Sequence, residues 1–412
     1  VTSTELHIPG LVIVEHEFSV PLDHARPDGQ QITVFAREVA DPDGRDRPYL
    51  LYLQGGPGTE ANRPTTFPST PSWLPRALQD YRVLLLDQRG TGRSTPIGAL
   101  PGMTPQQQAE YLTHFRADAI VRDAELIREQ LGVKRWSILG QSFGGFTSMV
   151  YLSIAPEGLA EAFLTGGLAP IGRHVDEIYA ATYEIVLERS RRYYRRYPDD
   201  LKRVREIQRR LAAEEILLPN GDRLTARRFR QLGLMLGMSD GAEHLHYIIE
   251  LPVGSPAFAH DVASGVSFER NPLYAILHES SYADGCVTGW SAQRLQPEEY
   301  ERHAEYFTGE HVFPWMFEEY GGLAPLREAA DIVAAYQWPR MFDPQQLAAN
   351  EVPAAAAIYD EDMYVVRDFS RESAAAIKGL HTWVTSEYQH NGLRADGARV
   401  LGHLIDLARG RA

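Results

Sequence analysis

An α/β fold is what the sequence predicts: a mostly parallel sheet interrupted by one long helical insertion. Three observations carry that expectation. Short apolar bursts at 49–54 (YLLYLQ), 81–88 (YRVLLLDQ) and 135–140 (RWSILG) each run into a polar, Gly-rich segment. Strands buried on both faces look like this, and open α/β sheets place their chemistry beyond such strand ends. Helical periodicity separates the second burst from the third, and strand-like texture vanishes after Pro170 to return only near Val352.

In chain order, VIVEHEFSVPLD and QQITVFAREVA mix β-branched and polar residues in near alternation, with ARPDG as a turn between them, so the first fifty residues read as strands. From Thr104 to Gly132, Ala119, Asp123, Leu126 and Ile127 recur at spacings of three and four in a charged background, and Gly132 supplies a stop. The pattern predicts a helix. QSFGGFTSMVYLSIAP suits a helix packed under a sheet, and EAFLTGGLAP (161–170) a further core strand with its exit loop. After a helical stretch rich in Arg and Tyr come a strand in VPAAAAIYDEDM (352–363), a helix in SRESAAAIKGL, a strand in HTWVTSEY and a terminal helix in VLGHLIDLARG. The expected division is a core in residues 1–170 and 331–412 with a helical cap in 171–330.

The chain has 412 residues, 44% hydrophobic and 23% charged, which excludes a disordered, collagen-like or coiled-coil chain. Lys plus Arg is 41 against 55 for Asp plus Glu, a formal charge of −14 that disfavours nucleic acid as a partner. Ten basic residues against four acidic ones between Glu188 and Arg210 are therefore expected to be the solvated face of the helical insertion rather than a polyanion site. The one cysteine, Cys286, can form neither an internal disulfide nor a thiolate metal cluster. The first residues lack the basic start and apolar run of a signal peptide, and no apolar run reaches 18 residues. A cytoplasmic protein with no membrane partner is the expectation; oligomeric state stays open.

Gly140-Gln141-Ser142-Phe143-Gly144 stands directly after one predicted strand and before a predicted helix. A serine on such a tight turn needs small neighbours, and the helix start favours negative charge developing beside it. Gln54-Gly55-Gly56-Pro57-Gly58 follows an earlier strand, and an N–H near Gly56 can pair with that of Phe143 as an oxyanion hole. Asp87, in the Asp87–Ser94 loop, reads as a structural charge paired by Arg89 or Arg93. A nucleophilic serine needs a histidine oriented by a carboxylate. His390 is the base by position, since His381 opens its strand, His403 lies in the terminal helix, and most other histidines, His303 and His311 among them, belong to the insertion. Asp362 is the preferred acid, with Asp360 the alternative. No metal-ligand spacing and no dinucleotide fingerprint occurs, so neither metal nor other cofactor is expected.

GGPG at 55–58, DQRGTGRS at 87–94, GQSFGG at 140–145 and HNG at 390–392 make the sequence similar to the proline iminopeptidase (prolyl aminopeptidase) group of α/β-hydrolase-fold serine peptidases. The resemblance spans both halves of the core. It implies an α/β-hydrolase fold with a large helical cap inserted before the late strands, and release of N-terminal proline from short peptides or amino-acid amides. Laying Val352-Pro353 on the family's Ile-Pro pair puts the family's acid on Asp362, although Asp360-Glu361 stands where the family usually has Arg-Tyr. Family glutamates in the cap hold the substrate's free amine. His278-Glu279-Ser280-Ser281-Tyr282 is the nearest match to one of them, which makes Glu279 the candidate. Glu250, with Glu243 behind it, is the candidate for the second. An esterase or amidase of small acyl groups would share every core residue and is the rival reading.

Overall fold

The computed structural model describes all 412 residues. Its centre is a nine-stranded sheet. The first three strands, β1 (Thr2–Ile8), β2 (Leu11–Pro21) and β3 (Gln31–Ala40), form an antiparallel meander. Then follow β4 (Tyr49–Leu53), helix α1 (Leu74–Asp80) and β5 (Arg82–Asp87). Two helices, α2 (Pro105–Leu112) and α3 (Ala117–Gln130), lead to β6 (Trp136–Gln141), α4 (Phe143–Ile154) and β7 (Leu159–Thr165). The spatial order β1-β2-β3-β5-β4-β6-β7 continues into β8 (Ala354–Tyr359) and β9 (Leu380–Thr385), and every pairing from β5 to β9 is parallel.

Burial explains which residues make these strands. All five residues of β4 and all six of β8 are buried, so they need no alternation, whereas β3 at the antiparallel side alternates near its start. Trp73, α1 and the terminal helix (Gly397–Ala408) pack on one face of the sheet. On the other face α3 and α4 share a large apolar core with the insertion.

Between Thr165 and Ala354 the chain leaves the sheet and is helical, with a single isolated bridge, Leu217 to Arg223, as its only strand-like contact. Its longest helices are α5 (Val175–Arg196) and α6 (Pro198–Ala213), followed by α7 (Gly241–Glu250). The basic run on α5 and α6 is dispersed in ion pairs: Arg195 with Glu188, Arg203 with Asp200, Arg205 with Glu305, Arg210 with Glu214. No helix is long and apolar enough to cross a membrane.

Two expectations change. The helix predicted over 104–132 is two helices, because Arg116 between them takes an extended backbone (φ −80°, ψ 171°). That break turns the buried guanidinium toward the carbonyls of Ala283 and Pro339 in the insertion, at 2.9 and 3.0 Å. The second change concerns Asp87, which neither Arg89 nor Arg93 pairs through its guanidinium. Backbone N–H groups of Arg93 and Ala61 donate to the carboxylate instead, and burial pushes its pKa up. The Arg89 guanidinium, fully buried, binds Asp123 and the carbonyls of Leu22 and His114, while Arg93 reaches outward to Glu15 and Glu17.

Candidate active site

Ser142 stands between β6 and α4 with φ 56° and ψ −123°, a conformation that costs an ordinary residue on the order of 1–3 kcal/mol. The turn exists because its neighbours are small. A Cβ on Gly144 would lie 1.9 Å from the Leu53 carbonyl oxygen, and one on Gly140 would lie 2.3 Å from that of Gly144. Helix α4 can thus begin directly against the end of β4. Phe143 is the first residue of that helix, where an N–H has no acceptor within the helix. The Gly55–Gly58 loop lies alongside: a Cβ on Gly55 would come within 3.0 Å of the Ser142 Cβ, and Gly56 has φ 129°.

His390 and Asp362 meet beyond the ends of β9 and β8. His390 Nδ1 lies 2.7 Å from Asp362 Oδ2, and both side chains are almost completely buried. Oδ1 of the same carboxylate accepts the N–H groups of Tyr364 and Val365 at 2.8 and 3.0 Å, so the loop after β8 wraps its own acid. Burial disfavours the His390 imidazolium, but the Asp362 carboxylate outweighs it, Glu310 adds to it, and the pKa rises above its ordinary value. Asp360, the alternative acid, is half-exposed and pairs with Arg367 at 2.9 Å.

The cap reaches both loops. Gly237 O accepts the His390 N–H at 3.1 Å. The Ser239 hydroxyl lies 2.8 Å from Asn391 Oδ1 and accepts the Gln389 N–H at 3.1 Å. On the other side Arg189 and Arg192 of α5 hold the Glu361 carboxylate, and Arg189 also holds the Glu361 carbonyl.

A carboxylate that sequence reading missed stands on the cap side. Glu310 accepts from the Tyr274 hydroxyl at 2.6 Å and lies 3.5 Å from His278 Nε2; these contacts keep its pKa below the usual glutamate value despite burial. It lines a cavity of about 10 Å³ together with Tyr179, Tyr282, Met363 and Tyr364. Phe146, one turn after Ser142, packs against Tyr282 at 5.4 Å. The neighbouring His311, stacked on Tyr183, is held neutral by burial, with its pKa down at about 3. A signal for Glu310 existed in the sequence: an acid set among Tyr306, Phe307 and Phe313 must be buried beside a partner.

Of the two expected amine-binding glutamates, Glu279 is buried in the cap. Its Oε1 accepts the Ala292 N–H at 2.9 Å, its Oε2 makes no hydrogen bond, and burial pushes its pKa up. Glu250 does not join this group. It ends α7 half-exposed beside His246, 3.4 Å away, because its helix turns that face to solvent; Glu243 behind it pairs with Arg196. No group of three or more His, Cys, Asp or Glu side chains converges to hold a metal ion.

A family model described as alpha/beta hydrolase fold matches residues 48–392. A proline iminopeptidase of Aeromonas sobria is 48% identical to this chain, over 99% of this chain and 99% of that protein. The proline iminopeptidase aneH of Aspergillus aculeatus is 34% identical, over 96% of this chain and 94% of its own length.

Proposed function

The chain belongs to the proline iminopeptidase family of the α/β-hydrolase fold, and we propose that its reaction runs through an acyl-enzyme on Ser142. It is an aminopeptidase that releases N-terminal proline from peptides with a free amino terminus. His390, its Nδ1 proton held by Asp362, takes the Ser142 proton at Nε2 as Oγ attacks the prolyl carbonyl. The N–H groups of Phe143 and of the Gly56 segment receive the oxyanion. His390 then protonates the leaving nitrogen, the C–N bond breaks, and water clears the acyl group by the same route.

Glu310 takes the substrate's ammonium in this scheme, with Glu279 a second carboxylate behind the Tyr179–His278 pair, and Phe146 and Tyr282 wall the pyrrolidine ring. The single observation that supports the reaction best is the buried His390–Asp362 bond of 2.7 Å, in a chain that also holds Ser142 at φ 56° on the turn between β6 and α4. We place the enzyme in the cytoplasm, since its lone thiol gives it no use for an oxidising compartment.

The test compares kcat/KM for proline β-naphthylamide, its N-acetyl counterpart, alanine and leucine amides, and a p-nitrophenyl ester. Preference for the free-amine proline substrate, lost on acetylation and reduced on the order of 10⁴-fold or more by Ser142→Ala, is the expected result. Equal turnover of the acetylated substrate, or ester cleavage alone, would make the site that of an esterase.

A further inference from the structure

A second cavity of about 520 Å³ is bordered by His390 and lined by none of the cap carboxylates, within the range of roughly 300–1,000 Å³ usual for small-ligand sites. Its walls include Gln54, Trp73, Gln141 and His390, with Ser69 and Thr70 of a short two-stranded ribbon and Arg394 also lining it. Two features set it apart. It has no Asp or Glu among its lining residues, although the chain carries 55 of them. Arg394, 64% exposed, is its one permanent charge, and the guanidinium makes a single hydrogen bond, to Asp240 at 2.9 Å, leaving most of its donors free.

We propose that this cavity receives the leaving part of the substrate and that Arg394 reads its terminal carboxylate, so that the preferred substrates are short peptides free at both ends. The inference rests on the acyl-enzyme mechanism above. His390 must hand its proton to the leaving nitrogen, so the departing chain lies on a wall that His390 shares, and this cavity has that wall. The charges then run in the sense of a peptide zwitterion: carboxylates of Glu310 and Glu279 at the ammonium end, and at the other a cavity whose one lining charge is Arg394, with its partner Asp240 outside the lining.

The experiment measures kcat/KM for Pro-Gly-Gly and for Pro-Gly-Gly-amide at low ionic strength, with proline β-naphthylamide as the check on the catalytic reading itself. A half-exposed ion pair is worth up to about 1 kcal/mol, so the free acid should be favoured about three- to fivefold over the amide in the wild-type enzyme. The ratio should fall to about one in Arg394→Gln, return in Arg394→Lys, and shrink as salt is raised. A wild-type ratio near one, or a ratio kept in Arg394→Gln, overturns the proposal while proline release stands. Failure to release proline from any of the three substrates overturns the mechanism beneath it instead.

Discussion

Glu310 raises the basicity of His390 and, in the mechanism above, holds the substrate's ammonium, so its replacement moves two observables at once. His390 works as a base only when neutral, and its pKa lies above the ordinary histidine value. In the free enzyme kcat/KM therefore falls as pH drops through a point above 6.5. Glu310→Gln removes one of the charges that favour the imidazolium and should move that acidic limb to lower pH. It should also lower kcat/KM for proline β-naphthylamide at least about thirtyfold, the effect of roughly 2 kcal/mol for losing one partner of a buried charge pair. Glu250→Gln, on the solvent face of α7, should leave both unchanged; a limb that stays put in Glu310→Gln would remove Glu310 from the site. Residues differ sharply in how legible they were. Ser142 and its glycines are coded within five residues, because a strained turn depends on its immediate neighbours. Asp360 and Asp362 could not be separated by local pattern: both follow β8, and only the loop that folds the Tyr364 and Val365 amides onto Asp362 decides between them. Glu310 depends on partners 32 and 36 residues earlier, His278 and Tyr274, which no periodicity announces.

Elements of the cap take part in holding the catalytic loops, which changes what a substitution far from the serine does. The Gly237–Ser239 stretch binds the backbone of Gln389 and His390 and the side chain of Asn391. Ser239→Ala removes the hydroxyl from two of these bonds without touching substrate. Catalytic geometry is sensitive to displacements well under 1 Å, so kcat should fall about tenfold with little change in KM. Melting temperature should move by no more than about 2 °C, since a single partly exposed hydroxyl is lost. A rise in KM alone would show that the contact serves binding rather than His390. Most elements were legible for a physical reason: buried parallel strands read as apolar runs, and the amphipathic helices carry their own period. Strand β1 lacks that signature, being an exposed edge whose residues pair with β2 without a buried face. The break at Arg116 was invisible because its cause lies in the insertion, at Ala283 and Pro339, and not in the flanking residues.

Across the whole molecule, the sheet and the helical insertion each contribute polar groups that the other satisfies, which predicts that they unfold as one cooperative unit. The insertion supplies the Gly237 carbonyl to His390 and the Arg189 guanidinium to the Glu361 loop; the core returns Arg116 to the carbonyls of Ala283 and Pro339. Arg116 is buried to 1% exposure, lies 3.1 Å from Asp118 and stacks 4.8 Å from the Trp338 ring. Arg116→Met keeps much of the volume but strands two carbonyls and leaves the Asp118 carboxylate with Arg122 as its one cation, a cost of about 2–4 kcal/mol. Were the cap an independent domain, such a change would lower only its own stability, and calorimetry would resolve an early cap transition from a later core transition. Coupling through shared hydrogen bonds predicts otherwise: one calorimetric transition in both proteins, shifted down by several degrees in the variant, with loss of peptidase activity tracking the loss of tertiary structure at every temperature. Two resolved transitions in Arg116→Met would show that cap and core are only loosely joined, and that the contacts holding His390 and Asp362 form after the core has folded by itself.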